Sequence, residues 1–96
     1  MVFMTDISTV WVFVSRRGSF PSGVFKDKKS AILWIEKYAL IGVLTCYPLG
    51  EGVYDWAIEN NHFKVKKEHQ EKAEFIGNFS SAAQEHYHYK EGKIDG

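Results

Sequence analysis

The sequence contains a single cysteine, Cys46, so no disulfide can form within the chain. Small secreted domains with little core usually depend on several disulfides. The first residues, MVFMTDIS, also lack the basic start and the long apolar segment of a signal peptide. These absences argue against a disulfide-stapled scaffold, and we expect a protein of the reducing cytoplasm.

The sequence also lacks an excess of charge of one sign, because 12 Lys and Arg residues are balanced by 12 Asp and Glu residues. Proteins that bind nucleic acid through its phosphates carry clustered basic side chains. The nearest such cluster, Lys64, Lys66 and Lys67, is followed at once by Glu68 and Glu71. We therefore interpret this stretch as a mixed-charge surface and expect no nucleic-acid partner.

Long apolar runs are absent too, since none approaches the ~20 residues that a helix needs to span a bilayer. No membrane association is expected. What the sequence does contain is 45 % hydrophobic and 16 % aromatic residues, enough for one core in a chain of 96 residues. The prediction is a single domain over residues 1–96, with an ordered core at about 9–91 and a flexible tail at 92–96.

Four stretches rich in β-branched and aromatic residues are predicted to be strands, at 9–15, 22–26, 43–48 and 85–90. The first, TVWVFVS, is apolar at nearly every position, which is typical of a central strand covered on both faces. Alternation along the third strand puts Leu44 and Cys46 on one face and Val43 and Thr45 on the other.

A helix is predicted over residues 28–40, with Asp27 as its N-cap and Gly42 as the left-handed residue that ends it. Helical spacing gives this helix one broad apolar face. Leu33 falls instead among the polar side chains, and Leu40 follows one heptad later. We therefore expect that a homodimer could form through Leu33 and Leu40.

A shorter helix is predicted over residues 53–60, with Asn61 as its C-cap. Between residues 63 and 84 the spacing predicts one kinked helix or two short ones. The predicted fold is therefore two-layer α+β. It has a mainly antiparallel four-stranded sheet, one long helix packed on a face, and shorter helices between strands 3 and 4.

Two sequence motifs stand out, GVYDWAIEN at residues 52–60 and QEHYHY at residues 84–89. With further matching pieces between about residues 10 and 92, they resemble a family of small bacterial proteins of unknown function. The resemblance implies a shared fold and a bacterial source. It implies no activity.

His86 and His88 lie two residues apart and therefore share one face of the predicted last strand. Two imidazoles at this spacing can bind one metal ion, but a structural zinc site needs four ligands. The sequence shows no second ligand pair and none of the common catalytic motifs. We expect no metal, no cofactor and no enzymatic activity; the alternative is a small enzyme or metal-binding domain that uses His86, His88 and Cys46.

The most distinctive surface is acidic, because Glu51, Asp55 and Glu59 recur every four residues along the predicted second helix. Acidic side chains in a first helical turn offset the positive end of the helix dipole, which explains Glu51 and Asp55 but not Glu59. We therefore predict a protein-binding module, in the form of an immunity protein that inhibits a bacterial toxin; a self-associating domain is a third interpretation. The predicted partner-binding residues are Glu51, Tyr54, Asp55, Glu59, Tyr87 and Tyr89.

Overall fold

A computed structural model describes residues 8–95 of the chain. Its architecture is α+β, with a five-stranded antiparallel sheet in the order β2-β1-β3-β4-β5. The strands are Thr9–Ser15 (β1), Pro21–Phe25 (β2), Gly42–Pro48 (β3), His86–Lys90 (β4) and Lys93–Ile94 (β5). The α-helices are Lys28–Lys37 (α1), Val53–Glu59 (α2) and Ala73–Gly77 (α3), with a 3₁₀ turn at Glu68–Glu71 before α3.

The first helix begins where the sequence predicts, because the Ser30 amide donates to Asp27 Oδ1 at 2.7 Å. It ends three residues before the predicted end at residue 40. Ala39 has a φ of 51°, and the Leu40 amide donates to the Ile35 carbonyl at 3.0 Å. This is a Schellman end, in which an alanine takes the left-handed position that glycine usually occupies.

Gly42 therefore does not end the helix, and that prediction is wrong. It is the first residue of β3 and it is buried against β1. A Cβ at this position would lie 2.3 Å from the Val14 carbonyl oxygen and 2.6 Å from the Phe13 ring. Glycine is required here because the two strands approach too closely for any side chain.

One face of the sheet is covered by α1 and forms the main core. Trp11 and Phe13 of β1 and Leu44 of β3 pack there against Ala31 and Ile35 of α1. Phe13 and Trp34 meet edge to face at 5.8 Å between ring centroids, a favourable aromatic arrangement. The predicted alternation of β3 is confirmed, since Leu44 and Cys46 face this core while Val43 and Thr45 face away.

The opposite face of the sheet is open. The prediction that β1 is covered on both faces is wrong, because none of the residues on this face is buried. The smallest dimension of the molecule is 21 Å, as expected for one sheet and one helix layer. The residues on this face, which we call the open face, are Val10, Val12, Val14, Pro21, Val24, Val43, Thr45, Tyr47, His86, His88 and Lys90.

The predicted flexible tail at 92–96 contains a fifth strand, so the predicted four-stranded sheet is incomplete. Lys93 pairs with Lys90 and Ile94 pairs with Tyr89. The two residues of the turn, Glu91 and Gly92, have φ values of 52° and 82°. A two-residue turn of type I′ requires positive φ at both positions, and a glutamate at the first of them does not predict such a turn.

The segment between β3 and β4 folds around its own aromatic cluster. Tyr54 of α2 and Phe79 lie 5.5 Å apart between ring centroids, and Phe63 and Phe75 complete the cluster. The sequence predicted one kinked helix or two short ones here, and the structure has the 3₁₀ turn and the short helix α3. Asn61 adopts a φ of 62°, and the His62 amide donates to the Ala57 carbonyl at 2.7 Å, so α2 ends where predicted to within one residue.

Within residues 8–95, no helix combines the length and the apolar character that crossing a bilayer requires.

Candidate partner-binding surface

The predicted acidic side chains lie on and directly before α2. Asp55 is in the first turn, Glu59 is one turn further along the same face, and Glu51 precedes the N-cap Gly52. All three residues are exposed. Gly52 has no side chain to cap the helix, so the negative charge of Asp55 is the favourable partner of the dipole at this end.

The three carboxylates are close enough to influence one another. The pKa of Glu51 is raised above its usual value of 4.5, chiefly because its protonated form can hydrogen-bond to Glu59. Repulsion by the charges of Glu59 and Asp55 raises this pKa further. Within residues 8–95 the single ion pair shorter than 4 Å joins Lys28 to Glu85. The carboxylates of α2 are therefore not paired with any base of the described chain; we call Glu51, Asp55 and Glu59 the acidic group.

Two exposed apolar residues accompany the acidic group, and the sequence analysis missed both. Ile58 of α2 is 37 % exposed, and Leu49 in the loop before α2 is 52 % exposed. Ile58 is one residue from Glu59 and three from Asp55, so it lies beside them on the helix surface. The signal was present in the helical spacing, which places Ile58 outside the inward face of Val53 and Ala57.

Tyr54 is turned away from the acidic group. Its ring is half-buried in the aromatic cluster, and its hydroxyl donates to the Gln70 carbonyl at 2.8 Å. This hydrogen bond joins α2 to the 3₁₀ turn. Tyr54 therefore stabilises the segment between β3 and β4. It does not form an aromatic surface beside the acidic side chains.

Tyr87 belongs to a polar network that joins the start of α1 to β4. Its ring stacks on Trp11 at 6.3 Å, and Lys28 Nζ lies 4.5 Å from the Tyr87 ring centroid. Lys28 donates to the Tyr87 hydroxyl at 3.3 Å, and that hydroxyl donates to Glu85 Oε2. The hydrogen bonds to Tyr87 are the main reason that the pKa of Lys28 is raised and that of Glu85 is lowered.

Tyr89 lies in the main core, with 4 % of its surface exposed. Burial is the main reason that the pKa of its hydroxyl is raised. The structure thus brings together the three predicted carboxylates but places the three predicted tyrosines elsewhere. Tyr54 is in the aromatic cluster, Tyr87 is in the network with Lys28, and Tyr89 is in the core.

The residues of the alternative metal or enzymatic site are separated by the sheet. His86 and His88 are neighbours on the open face, with 5.7 Å between ring centroids. Cys46 faces the opposite side and packs against the main core. His86 Nδ1 lies 2.7 Å from the Gln84 carbonyl oxygen. In the part of the chain that the structure describes, no three side chains of metal-ligating type converge.

The fold and these side chains define a small α+β domain with an exposed acidic helix. The chain belongs to the family described as Domain of unknown function (DUF7710), whose sequence profile matches residues 10–95. The predicted membership of a family of unknown function is confirmed. No curated protein and no solved structure was found to match the chain.

Proposed function

We propose that this chain is a non-enzymatic protein-binding module of the immunity type, which inhibits a bacterial toxin in the cytoplasm. The observation that carries the proposal is the exposed acidic group, in which Glu51, just before α2, lies close to Asp55 and Glu59 on the helix. Like charges held together destabilise the isolated chain. A positively charged partner would remove that repulsion on binding, so the arrangement favours a complex over the free protein.

Toxins that cleave nucleic acid supply the required partner chemistry, because their active sites are basic. An inhibitor that covers such a site with carboxylates gains association rate by electrostatic steering and complex lifetime from desolvated charge pairs. Stable interfaces also need an apolar centre within a polar rim. Ile58 on α2 and Leu49 in the loop before it supply exposed apolar surface for such a centre, in place of the predicted tyrosines.

The experiment is a pull-down from the native host with the parent chain and a charge-reversed variant, Asp55→Lys with Glu59→Lys. Both residues are exposed, so the variant should fold. The matched control is Glu36→Lys with Glu74→Lys, which makes the same change of net charge on α1 and α3. The expected result is that the parent and the control recover a basic toxin and inhibit it, while the α2 variant does neither. Recovery of the same partner by all three chains would exclude the acidic group from the function.

A further inference from the structure

We propose that the open face is an interface with a second copy of this chain. Val24 at its edge is 63 % exposed, and it lies in register with Val12, which in turn pairs with Thr45. A second row joins Val14, Val43 and His88. Contiguous apolar surface of this kind on a small soluble protein marks an interaction site.

The charge distribution favours a second copy as the occupant. On β1, β2 and β3 the open face carries no acidic or basic side chain. His86, His88 and Lys90 are confined to β4, at one side. Two copies can therefore meet across the middle of this face, β1 over β3, without placing like charges opposite each other, which would be costly. The acidic group could not form such a symmetric interface, because the carboxylates of the two copies would lie opposite each other.

A protruding side chain and a groove at the same end of the sheet complement each other. Phe20, in the loop between β1 and β2, is 79 % exposed. A groove of about 520 Å³ lies where β1 and β4 end and β3 begins. Val14, Ile41 and Val43 form the apolar part of its lining, and Arg16, His88, Lys90 and Asp95 form the polar part. Its volume is large enough to accept a phenylalanine side chain.

The strand order lets both contacts form in one symmetric arrangement. A two-fold axis parallel to the strands places β2 of each copy over β4 of the other, because the strand order is β2-β1-β3-β4. The loop before β2 then lies over the end of β4, so Phe20 of each copy lies at the groove of the other. Such an interface is isologous and closes at two copies.

The size of the face fits a weak dimer. Four strands spaced about 4.8 Å apart, each about 17–24 Å long, give on the order of 400 Å² in projection per copy. With the Phe20 contacts, two copies would bury on the order of 1,000 Å² in total, the lower limit for a specific interface. We therefore expect association in the micromolar range or weaker.

Analytical ultracentrifugation from micromolar to millimolar concentration tests this interface. The variants are Phe20→Ser and Val24→Lys, both at highly exposed positions where the fold should tolerate them. The matched comparison is Leu33→Lys on α1, at an exposed apolar residue (56 %) on the other layer that represents the rival interface through Leu33 and Leu40. Leu40 is partly buried against the main core, which leaves Leu33 without its expected neighbour in such an interface. The parent and Leu33→Lys should dimerise equally, while each open-face variant should raise the dissociation constant by about tenfold or more.

Circular dichroism of each variant establishes that it is folded. The dimer should depend little on salt, because its contacts are apolar, and this separates it from binding through the acidic group. A parent that stays monomeric at every concentration would overturn the proposal. So would a dimer that Leu33→Lys dissociates and Val24→Lys does not, since the interface would then lie on α1.

Discussion

Lys28 and Tyr87 are joined by two contacts, a hydrogen bond of 3.3 Å from Nζ to the hydroxyl and a distance of 4.5 Å from Nζ to the ring centroid. Tyr87→Phe keeps the ring and removes the hydroxyl, so only the hydrogen bonds to Lys28 and Glu85 are lost. We expect the midpoint of thermal unfolding to fall by roughly a few degrees. Tyr38→Phe, at the exposed tyrosine directly after α1, is the control and should leave the midpoint unchanged.

The acidic group should make stability depend on pH in a specific direction. Because the pKa of Glu51 is raised above 4.5 in the folded chain, its ionisation opposes folding as pH rises through and beyond that value. Glu51→Gln should therefore be more stable than the parent at neutral pH, and the difference should vanish below pH 4.5. Urea unfolding at several pH values measures this.

Glu85 should show the opposite effect, because its pKa is lowered from 4.5. Its contribution to stability is present above that value and is lost as pH falls through the folded pKa. Glu85→Gln should therefore be less stable than the parent at neutral pH and equal to it in strong acid. If the two glutamine variants shifted stability in the same direction at neutral pH, the arrangement of charges described here would be wrong.

Gly42 and Gly77 provide a matched pair of glycines. Gly42→Ala would place a Cβ 2.3 Å from the Val14 carbonyl oxygen, whereas nothing lies within 4 Å of a Cβ at Gly77. We expect Gly42→Ala to reduce the free energy of unfolding by more than about 2 kcal/mol. Gly77→Ala should be neutral or should stabilise α3 by about 0.5–1 kcal/mol. Comparable unfolding midpoints in urea for the two variants would contradict the close approach of β1 and β3.

Ala39 has a positive φ of 51°, which is unfavourable for any residue with a Cβ. Ala39→Gly should therefore increase the free energy of unfolding, by about 1 kcal/mol. Ala82→Gly, at an exposed position outside the helices, is the comparison, and it should not stabilise the chain. Urea unfolding of the two variants tests whether residue 39 takes the left-handed conformation that follows the end of α1.

The alternation of side chains and the caps predicted the framework of the fold well. The period of two along β3 correctly separated Leu44 and Cys46 from Val43 and Thr45. Asp27 was recognisable because a carboxylate before an apolar helix face is a local signal. Such signals depend only on neighbouring residues, so they can be read without knowledge of the tertiary structure.

The features that could not be predicted from the sequence depend on the tertiary structure. An apolar β1 is compatible with cover on one face or on two, so Val12 and Val14 gave no sign that their face is open. Ala39 and Glu91 take positive φ without being glycine or asparagine. The end of α1 was therefore predicted three residues too late, and the last hairpin was not predicted. Tyr89 looked like a surface aromatic because its strand alternates, but the helix above that face covers it.

The proposed function requires that Glu51, Asp55 and Glu59 form the surface that binds a basic partner. The decisive measurement is the affinity for that partner across a range of salt concentrations, for the parent and for Asp55→Lys with Glu59→Lys. The parent's affinity should fall steeply with salt, and the variant should bind a few kcal/mol more weakly and with little salt dependence. A folded variant with the parent's affinity and the parent's salt dependence would contradict the claim.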